Sequence, residues 1–518
     1  MGKQNDTGTI PYSKKKKMTM WKIFALFALA LQLIMSGGVL FVVVKLNMLP
    51  NSYLIAIAFV LLLLFFLCDI LLIISKRKRN KAKTSLYVKR VLGVILSVCT
   101  TLVCVFGINT LSKLMSTLDG VSSDTIVIKE KTAVYVMAQD PAQNINDASG
   151  YTFGYTSTYD HDNTLKAIDK VEEELGQEVS KQDFDTVVDM VEALYAGDIG
   201  AIFLNESYID ILEDMDEFAN FSSDTRAIIV NEVDVIQKVT DSVADITKEP
   251  FIVYLSGSDT RNTTLTSKTR SDVNILAVIN PQTKQILLLN TPRDYYIDIS
   301  VSGYTQKDKL THCGIYGIDC SMDTLGHLYG IDVNYYLKIN FTGFETLIDA
   351  IGGIDIDVDK SFTSVDGYQY TKGVTHMDGK YALNYVRERH AFGDGDFARG
   401  RHQMQMIKAL VAKLSSGAII TNYSDIMSSL EGMFTTDVTT TEMGDLVKMQ
   451  LSDGGTWNVQ TFAMDGEGKR STTYSMPKTK AYVMEPNFDY VTYAQQLIQK
   501  VMDGEVLTED DMKFKKAE

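Results

Sequence analysis

Three long apolar runs fill most of the first 111 residues: Ile23 to Val44, Tyr53 to Ile74 and Leu86 to Leu111. At about 1.5 Å of helix per residue, each can cross about 30 Å of hydrocarbon. A cleaved secretion signal would account for the first run but not for the two that follow it almost at once. The expected order is therefore a short tail (1–20), spans at 21–45 and 53–75, a basic loop (76–85), a third span at 86–111, and then folded domains.

Charge orients this arrangement. Residues 1–90 hold 15 Lys and Arg but only Asp6 and Asp69 as acids, a net +13, which leaves −28 for the remainder. Lys14 to Lys17 precede the first span, and Lys76, Arg77, Lys78, Arg79, Lys81 and Lys83 separate the second from the third. Excess Lys and Arg stays cytoplasmic, so the amino terminus is expected inside and everything after about residue 112 outside, on a multi-pass cell-membrane protein. The basic runs set topology and touch anionic lipid. A tail of about 20 residues is too short for a nucleic-acid-binding element, so the lipid bilayer and not nucleic acid is the expected partner there. Asp69 falls near the inner end of its span, where a carboxylate reaches the interface.

Cys68, Cys99 and Cys104 lie in the spans as small apolar residues, leaving Cys313 and Cys320 for the outside. Gly314 and Gly317 would let the chain bend back and bridge them, whereas one continuous helix would hold the sulfurs about 10 Å apart. The sequence leaves both open.

Beyond the spans, two α/β domains are expected. In the first (120–247), Thr125 to Lys129 and Thr132 to Met137 read as strands. Thr164 to Leu175 and Lys181 to Tyr195 read as amphipathic helices, the latter capped by Ser180, with a buried strand at Ala201 to Leu204 and a helix at Tyr208 to Met215. Its acidic surface reads as a solvated face. The polar stretch Asp241 to Pro250 marks a boundary. The second domain (250–505) opens with the strand Phe251 to Leu255. Val273 to Ile279 and Gln285 to Leu289 flank an Asn280-Pro281 turn, and Thr342 with Glu345 has capping-box spacing for a helix that Gly352-Gly353 ends. Ile354 to Val358 alternates like a half-buried strand, and Met404, Ile407, Val411 and Leu414 share a helical face, with Gly417 at C-cap distance. The pattern is a mixed sheet flanked by helices.

No phosphate loop of the Gly-x-x-x-x-Gly-Lys type, no His-Glu-x-x-His, no Cys-x-x-Cys and no Gly-x-Ser-x-Gly elbow occurs, which argues against serine-triad and zinc hydrolysis. What occurs instead is a set of Arg and Asp residues at strand ends: Asp259, Arg270, Asp272, Arg293, Arg387, Arg389, Asp396 and Arg399. Guanidinium forks match phosphate oxygens, and several of them suit a diphosphate. Asp259 and Asp272 beside a phosphate make sense with a cation between them, because Mg²⁺ is commonly held by one or two carboxylates plus substrate phosphates. Each piece alone has a plainer meaning as a turn, a strand end or a solvated run. Their joint occurrence in one domain is what points to a site.

Six blocks carry a resemblance: Ser256-Gly-Ser-Asp259, Arg270-Ser-Asp-Val-Asn274, Asn290-Thr-Pro-Arg-Asp294, Leu310-Thr-His-Cys-Gly-Ile-Tyr-Gly317, Leu383-Asn-Tyr-Val-Arg387-Glu-Arg389 and Gly395-Asp-Phe-Ala-Arg399. In this order they resemble the LytR-CpsA-Psr (LCP) family, and the three spans plus an additional domain resemble its CpsA-like members. The resemblance implies the LCP fold and a phosphotransferase. Such an enzyme moves a glycopolymer (capsular polysaccharide, teichoic acid or similar) from an undecaprenyl diphosphate carrier to peptidoglycan, releasing undecaprenyl phosphate. It further implies Asp259 and Asp272 as ligands of Mg²⁺, with Mn²⁺ as the alternative ion. Arg270, Arg293, Arg387 and Arg399 become diphosphate contacts oriented by Asp396, with Arg389 and Gln403 binding in the same shell. The partners implied are a polyprenyl diphosphate-linked glycan donor and a peptidoglycan acceptor.

One departure stands out: many members carry a second arginine where this chain has His402, so charge there would be weaker or pH-dependent, and Arg401 and His402 are not assigned. His312 reads as a helix-start hydrogen bonder. An apolar groove that includes the Met404 to Leu414 helix would take the polyprenyl chain. The competing reading is a non-catalytic lipid-diphosphate-binding regulator of polysaccharide assembly, and a pyrophosphatase using water as acceptor would need the same residues.

Overall fold

The computed structural model describes residues 20–74, 83–121, 126–237, 243–259, 268–301, 304–416 and 433–515. The lysines at 14–17, the basic residues at 76–81 and Gly417 lie outside the described residues. The chain divides into two compact units, Met1–Lys113 and Leu114–Glu518.

The first unit holds three helices long and apolar enough to cross a membrane: α1 (Met20–Leu46), α2 (Asn51–Asp69, continued by a π-helical turn at Ile70–Ile74) and most of α3 (Lys83–Val121). Leucine, isoleucine and phenylalanine side chains such as Phe27, Ile34, Phe59 and Leu62 face outward, as lipid-facing positions do. Inside, Trp21 donates to the Leu72 carbonyl at 3.0 Å and Ala25, Leu29, Cys68 and Leu72 pack together.

The second unit begins with a five-stranded sheet built from β1 (Ile126–Met137), β2 (Thr152–Thr156), β3 (Ser180–Phe184), β4 (Ala201–Asn205) and β5 (Thr225–Gln237), in the order β3-β2-β4-β1-β5. Strand alternation divides its apolar residues between two cores. Val134, Val136, Phe153 and Phe203 meet α4 (His161–Leu175) on one face. Ala133, Tyr135, Ile202 and Leu204 meet α5 (Val187–Ala196), α6 (Ile209–Glu213) and the short α7 (Phe221–Asp224) on the other. Two expectations are corrected here. Ser180 caps no helix: Ser180–Phe184 is a strand paired in parallel with β2, and the helix starts later, capped by Thr186, whose hydroxyl accepts from Asp189 N. The two strands expected at the start are one, because β5 pairs with the whole of β1 across a bulge at Val134/Tyr135.

The second sheet has the order β16-β11-β6-β7-β8-β17. Its strands are β6 (Phe251–Ser258), β7 (Val273–Asn280), β8 (Gln285–Asn290), β11 (Tyr335–Asn340), β16 (Phe434–Thr436) and β17 (Asn458–Ala463). The intervening numbers belong to small pairs: β9 (Tyr296–Val301) with β10 (Tyr304–Lys309), β12 (Ile354–Val358) with β15 (Gly373–Met377), and β13 (Phe362–Thr363) with β14 (Gln369–Tyr370); β18 (Gly466–Ser471) with β19 (Ala481–Pro486) follows. One sheet face, with Ile252, Tyr254, Leu276, Val278, Leu287 and Tyr336, is packed by α8 (Leu310–Tyr316), α9 (Ile318–Tyr329) and a C-terminal helix (Phe488–Met502). The opposite face looks toward α10 (Phe341–Ala350), α11 (Gly379–Arg387) and α12 (Asp396–Ser415).

Helix α10 starts earlier than the Thr342/Glu345 spacing predicts. Asn340 is its cap, accepting from Gly343 N at 2.7 Å, and the helix gives way to Gly352 and Gly353, both at positive φ. Helix α12 ends at Ser415 with Ser416 as its C-cap. A break at Gly317 (φ 118°) separates α8 from α9, so no continuous helix holds Cys313 from Cys320. The two cysteines share one core yet are free thiols, and burial together with Cys320 pushes the Cys313 thiol well up.

Candidate functional site

Because β7 runs antiparallel to both β6 and β8, its first residues lie beside the last residues of its neighbours: Gly257 opposes Val273, and Ile275 opposes Asn290. Asp259, Asp272 and Arg293, far apart in sequence, therefore emerge at one edge of the sheet. Helix α8 clamps that edge. Ser271 N donates to the Thr311 carbonyl, Thr311 N to the Arg293 carbonyl and Thr269 N to the Gly314 carbonyl, at 2.8–3.1 Å. Gly314 lies so close to the 269–271 backbone that a Cβ would collide with it.

Arg293 lies at the centre. Its Nη1 donates to Asp272 Oδ1 at 2.7 Å, and its Nε lies 3.7 Å from Asp294 and 3.9 Å from Asp396. Asp396, in the first turn of α12, also faces Arg399 at 3.3 Å and Arg389 at 3.7 Å, so one carboxylate stands among three guanidinium groups. Arg387 lies over the Phe341 ring, 4.6 Å from its centroid. Gln403, one turn beyond Arg399, donates to the Val386 carbonyl at 3.4 Å. Glu388 accepts from the amides of Val365, His390 and Ala391, which fixes the turn between Arg387 and Arg389.

The electrostatics favour an added anion. Among the described residues the Arg293 Nε is buried without a hydrogen-bond partner, a state that native structures rarely leave to a donor. Burial, reinforced by Arg293, depresses the Arg399 pKa despite Asp396, so its charged form is under-compensated. The carboxylates complement this. Burial, then the negative charge of Asp272, raises Asp259, while Asp272 is lowered because Arg293 and Arg270 outweigh its burial. Among the described residues both side-chain hydrogen bonds to Asp272, from Arg293 and Thr311, fall on Oδ1, and two carboxylates within electrostatic reach, Asp259 and Asp272, are a donor set suited to a cation. No cluster of three His, Cys, Asp or Glu side chains suited to a metal occurs among the described residues, so such a cation would need ligands from a substrate.

Behind the charged edge lies a cavity of about 650 Å³, within the range of small-molecule sites. Asp259, Asp272, Arg293, Arg387, Arg389, Arg399 and Gln403 line its charged part. The remainder is hydrocarbon: Val253, Leu255, Ala277, Ile279, Ile286 and Leu288 from the sheet, Phe344 and Leu347 from α10, and Ile407, Leu410, Val411 and Leu414 from α12. The helical face read from Met404 to Leu414 thus divides, with Met404 in the core and the other three facing the cavity.

The structure places Arg270 differently from the other predicted residues. It is absent from the cavity lining, and its Nη1 pairs with Asp214 Oδ2 at 2.6 Å, while its Nε is 3.7 Å from Asp210 Oδ2. Both acids belong to α6 and the residue after it, in the preceding domain, and no motif distinguishes them in the sequence. His402 turns away into an aromatic cluster, stacked 4.2 Å from the Tyr385 centroid and hydrogen-bonded to the Tyr385 carbonyl. Burial lowers it to about 4, so it is a neutral core residue, which corrects the expectation of a pH-dependent charge at the site. Arg401 points outward to Asp394 at 2.6 Å. His312 is buried within α8 and bonded to Asp308 at 2.6 Å, in keeping with a structural role.

Comparisons with known proteins agree with the blocks of sequence. A profile described as the LytR_cpsA_psr family matches residues 219–489. Among curated relatives, the polyisoprenyl-teichoic acid–peptidoglycan teichoic acid transferase TagU of Enterococcus faecalis is 36% identical over 197 residues, which is 38% of this chain and 64% of that protein. A Bacillus anthracis protein of the same name is 32% identical over 219 residues, 42% of this chain and 68% of its own length. The chain therefore spans somewhat less than two thirds of the first relative and slightly more of the second. The crystal structure of B. subtilis TagV is 26% identical, covering 49% of this chain and 98% of its own, with a TM-score of 0.42.

Proposed function

The chain belongs to the LytR-CpsA-Psr family, and from that premise we propose that it transfers a glycopolymer from a polyprenyl diphosphate carrier to peptidoglycan outside the membrane in which α1 to α3 anchor it. The observation that carries this reading is the two-part cavity, guanidinium at one end and hydrocarbon at the other. Free phosphate or a nucleotide needs only the first part. A prenyl diphosphate needs both.

In the proposed reaction a hydroxyl of peptidoglycan attacks the phosphorus that carries the glycan. The new O–P bond forms as the bond from that phosphorus to the bridging oxygen breaks; polyprenyl phosphate departs, and the hydroxyl proton passes to that phosphate or to solvent. Arg293, Arg387 and Arg399, with Arg389 beside them, spread the charge of the transferred phosphoryl group, the dominant demand of such transition states. Asp396 keeps three of these groups from repelling one another. Asp259 and Asp272 would hold Mg²⁺ together with the diphosphate, and the ion would neutralise charge on the phosphate oxygens. The positive-inside asymmetry of residues 1–90 supports placing the second unit outside, where the acceptor is.

Ala277, at the floor of the cavity, provides the test. An Ala277→Phe substitution fills space among the apolar residues that Ala277 packs with. The full chain in lipid nanodiscs should bind undecaprenyl diphosphate more tightly than inorganic pyrophosphate, and the substitution should remove that difference while leaving pyrophosphate binding intact. Equal affinity for the two in the unsubstituted protein would contradict the reading.

A further inference from the structure

We infer that Asp214 and Asp210 set the affinity of the site for its diphosphate by competing for Arg270, an inference that rests on the diphosphate reading above. Among the described residues, Arg270 is the one arginine at the sheet edge that pairs with the preceding domain. Its largely buried guanidinium is met by two carboxylates that are themselves half-exposed, at 2.6 and 3.7 Å. Their position is built in: Ile211 and Leu212 of α6 are buried in the domain core, and the turn before them is capped by Asn205, which accepts from Ser207 N at 3.0 Å. The same domain holds the chain two residues earlier through a Lys268–Asp160 ion pair. It therefore grips 268–270 at two points, immediately before Asp272.

A guanidinium has five N–H donors in a fixed fork, and turning that fork so that an Nη1–H meets Asp214 aims it away from a phosphate oxygen on the other side. Among the described residues Arg270 Nε is buried and makes no hydrogen bond, so the pairing leaves a donor that an anion would satisfy. The two acids also bring negative charge toward the place a diphosphate would occupy. Burial raises the Asp210 pKa, and the charge of Asp259 is among the further causes, which places the two carboxylates within electrostatic reach. Removing the acids should free one arginine and remove that repulsion.

Asparagine is isosteric with aspartate, so Asp214→Asn and Asp210→Asn keep the shape of α6. Farnesyl diphosphate with Mg²⁺ serves as probe for calorimetric titration of the full chain in nanodiscs. The double variant should bind about two- to fivefold more tightly, the range of a partly exposed ion pair. In an Arg270→Ala background the same substitutions should change nothing. Unchanged or weaker binding in the double variant, or tightening that persists without Arg270, overturns the inference alone, provided Arg293→Ala still abolishes binding. Absence of binding by the unsubstituted chain, or binding indifferent to Arg293, overturns the diphosphate reading and this inference with it.

Discussion

Arg293 is the residue whose replacement separates charge from geometry. Its guanidinium reaches Asp272 at 2.7 Å through Nη1 and Asp294 and Asp396 at 3.7 and 3.9 Å through Nε, which makes no hydrogen bond among the described residues. Arg293→Ala removes a group aimed at phosphoryl charge, and such arginines are worth about a thousandfold in rate, about 4 kcal/mol. It also leaves the Asp272 carboxylate, 13% exposed, without its principal partner, a change that costs about 3 kcal/mol of stability at the low end for buried pairs. Alanine alone therefore confounds catalysis with folding. Arg293→Lys resolves this, because an ammonium can still pair with Asp272 but offers no planar fork to two phosphate oxygens. The lysine variant should keep stability within about 1 kcal/mol yet lose about 10- to 100-fold in kcat/KM. The assay follows transfer of an oligosaccharide phosphate to peptidoglycan fragments, with urea unfolding in parallel. A lysine variant at full kcat/KM, or an alanine variant whose activity falls only with its folded fraction, would refute the reasoning.

Gly400→Ala puts a Cβ against the Asn290 side chain and should push α12, with Asp396 and Arg399, off the strand end. Transfer should drop about tenfold or more in a protein that remains folded by circular dichroism. His402 sits at about 4 in the folded state against 6.5 for the free side chain. The unfolded chain takes up the proton first, so the stability His402 supports is complete above pH 6.5 and is lost as pH falls through 4. Its full size is about 3 kcal/mol, and His402→Phe should flatten the unfolding free energy across that window. Reductant should leave the unfolding midpoint unchanged, since Cys313 and Cys320 are free thiols.

Much of this was legible in the sequence for identifiable reasons. Membrane-length runs are read from composition alone, and the Arg and Asp blocks stand out because so many of them occur together in one domain. The helix around Met404 to Leu414 was visible from its period. What was not legible depends on tertiary contact. Ser180–Phe184 is short, charged and largely exposed, so nothing local distinguishes a parallel strand from a first helical turn. Asn340 wins the cap over Thr342 because β11 delivers the chain to α10 there. His402 and Gln403 follow Arg399 by three and four positions, yet helical phase sends Gln403 to the cavity and His402 to Tyr385, a difference that only the position of α11 decides. Asp210 and Asp214 lie 60 and 56 positions before Arg270 on a short helix without a motif, and only the docking of one domain on the next brings them to it.

The central claim, that this chain moves a phosphorylated glycan from lipid to wall, is tested most directly by its products. The full chain in nanodiscs would be incubated with undecaprenyl diphosphate oligosaccharide, peptidoglycan fragments and Mg²⁺, and both products followed by mass spectrometry beside an Arg399→Ala control. The account predicts a glycan-phosphate-peptidoglycan adduct and an equal amount of undecaprenyl phosphate, neither formed by the variant. Tight donor binding with no adduct across several acceptors would contradict it and leave a lipid-diphosphate-binding regulator in its place.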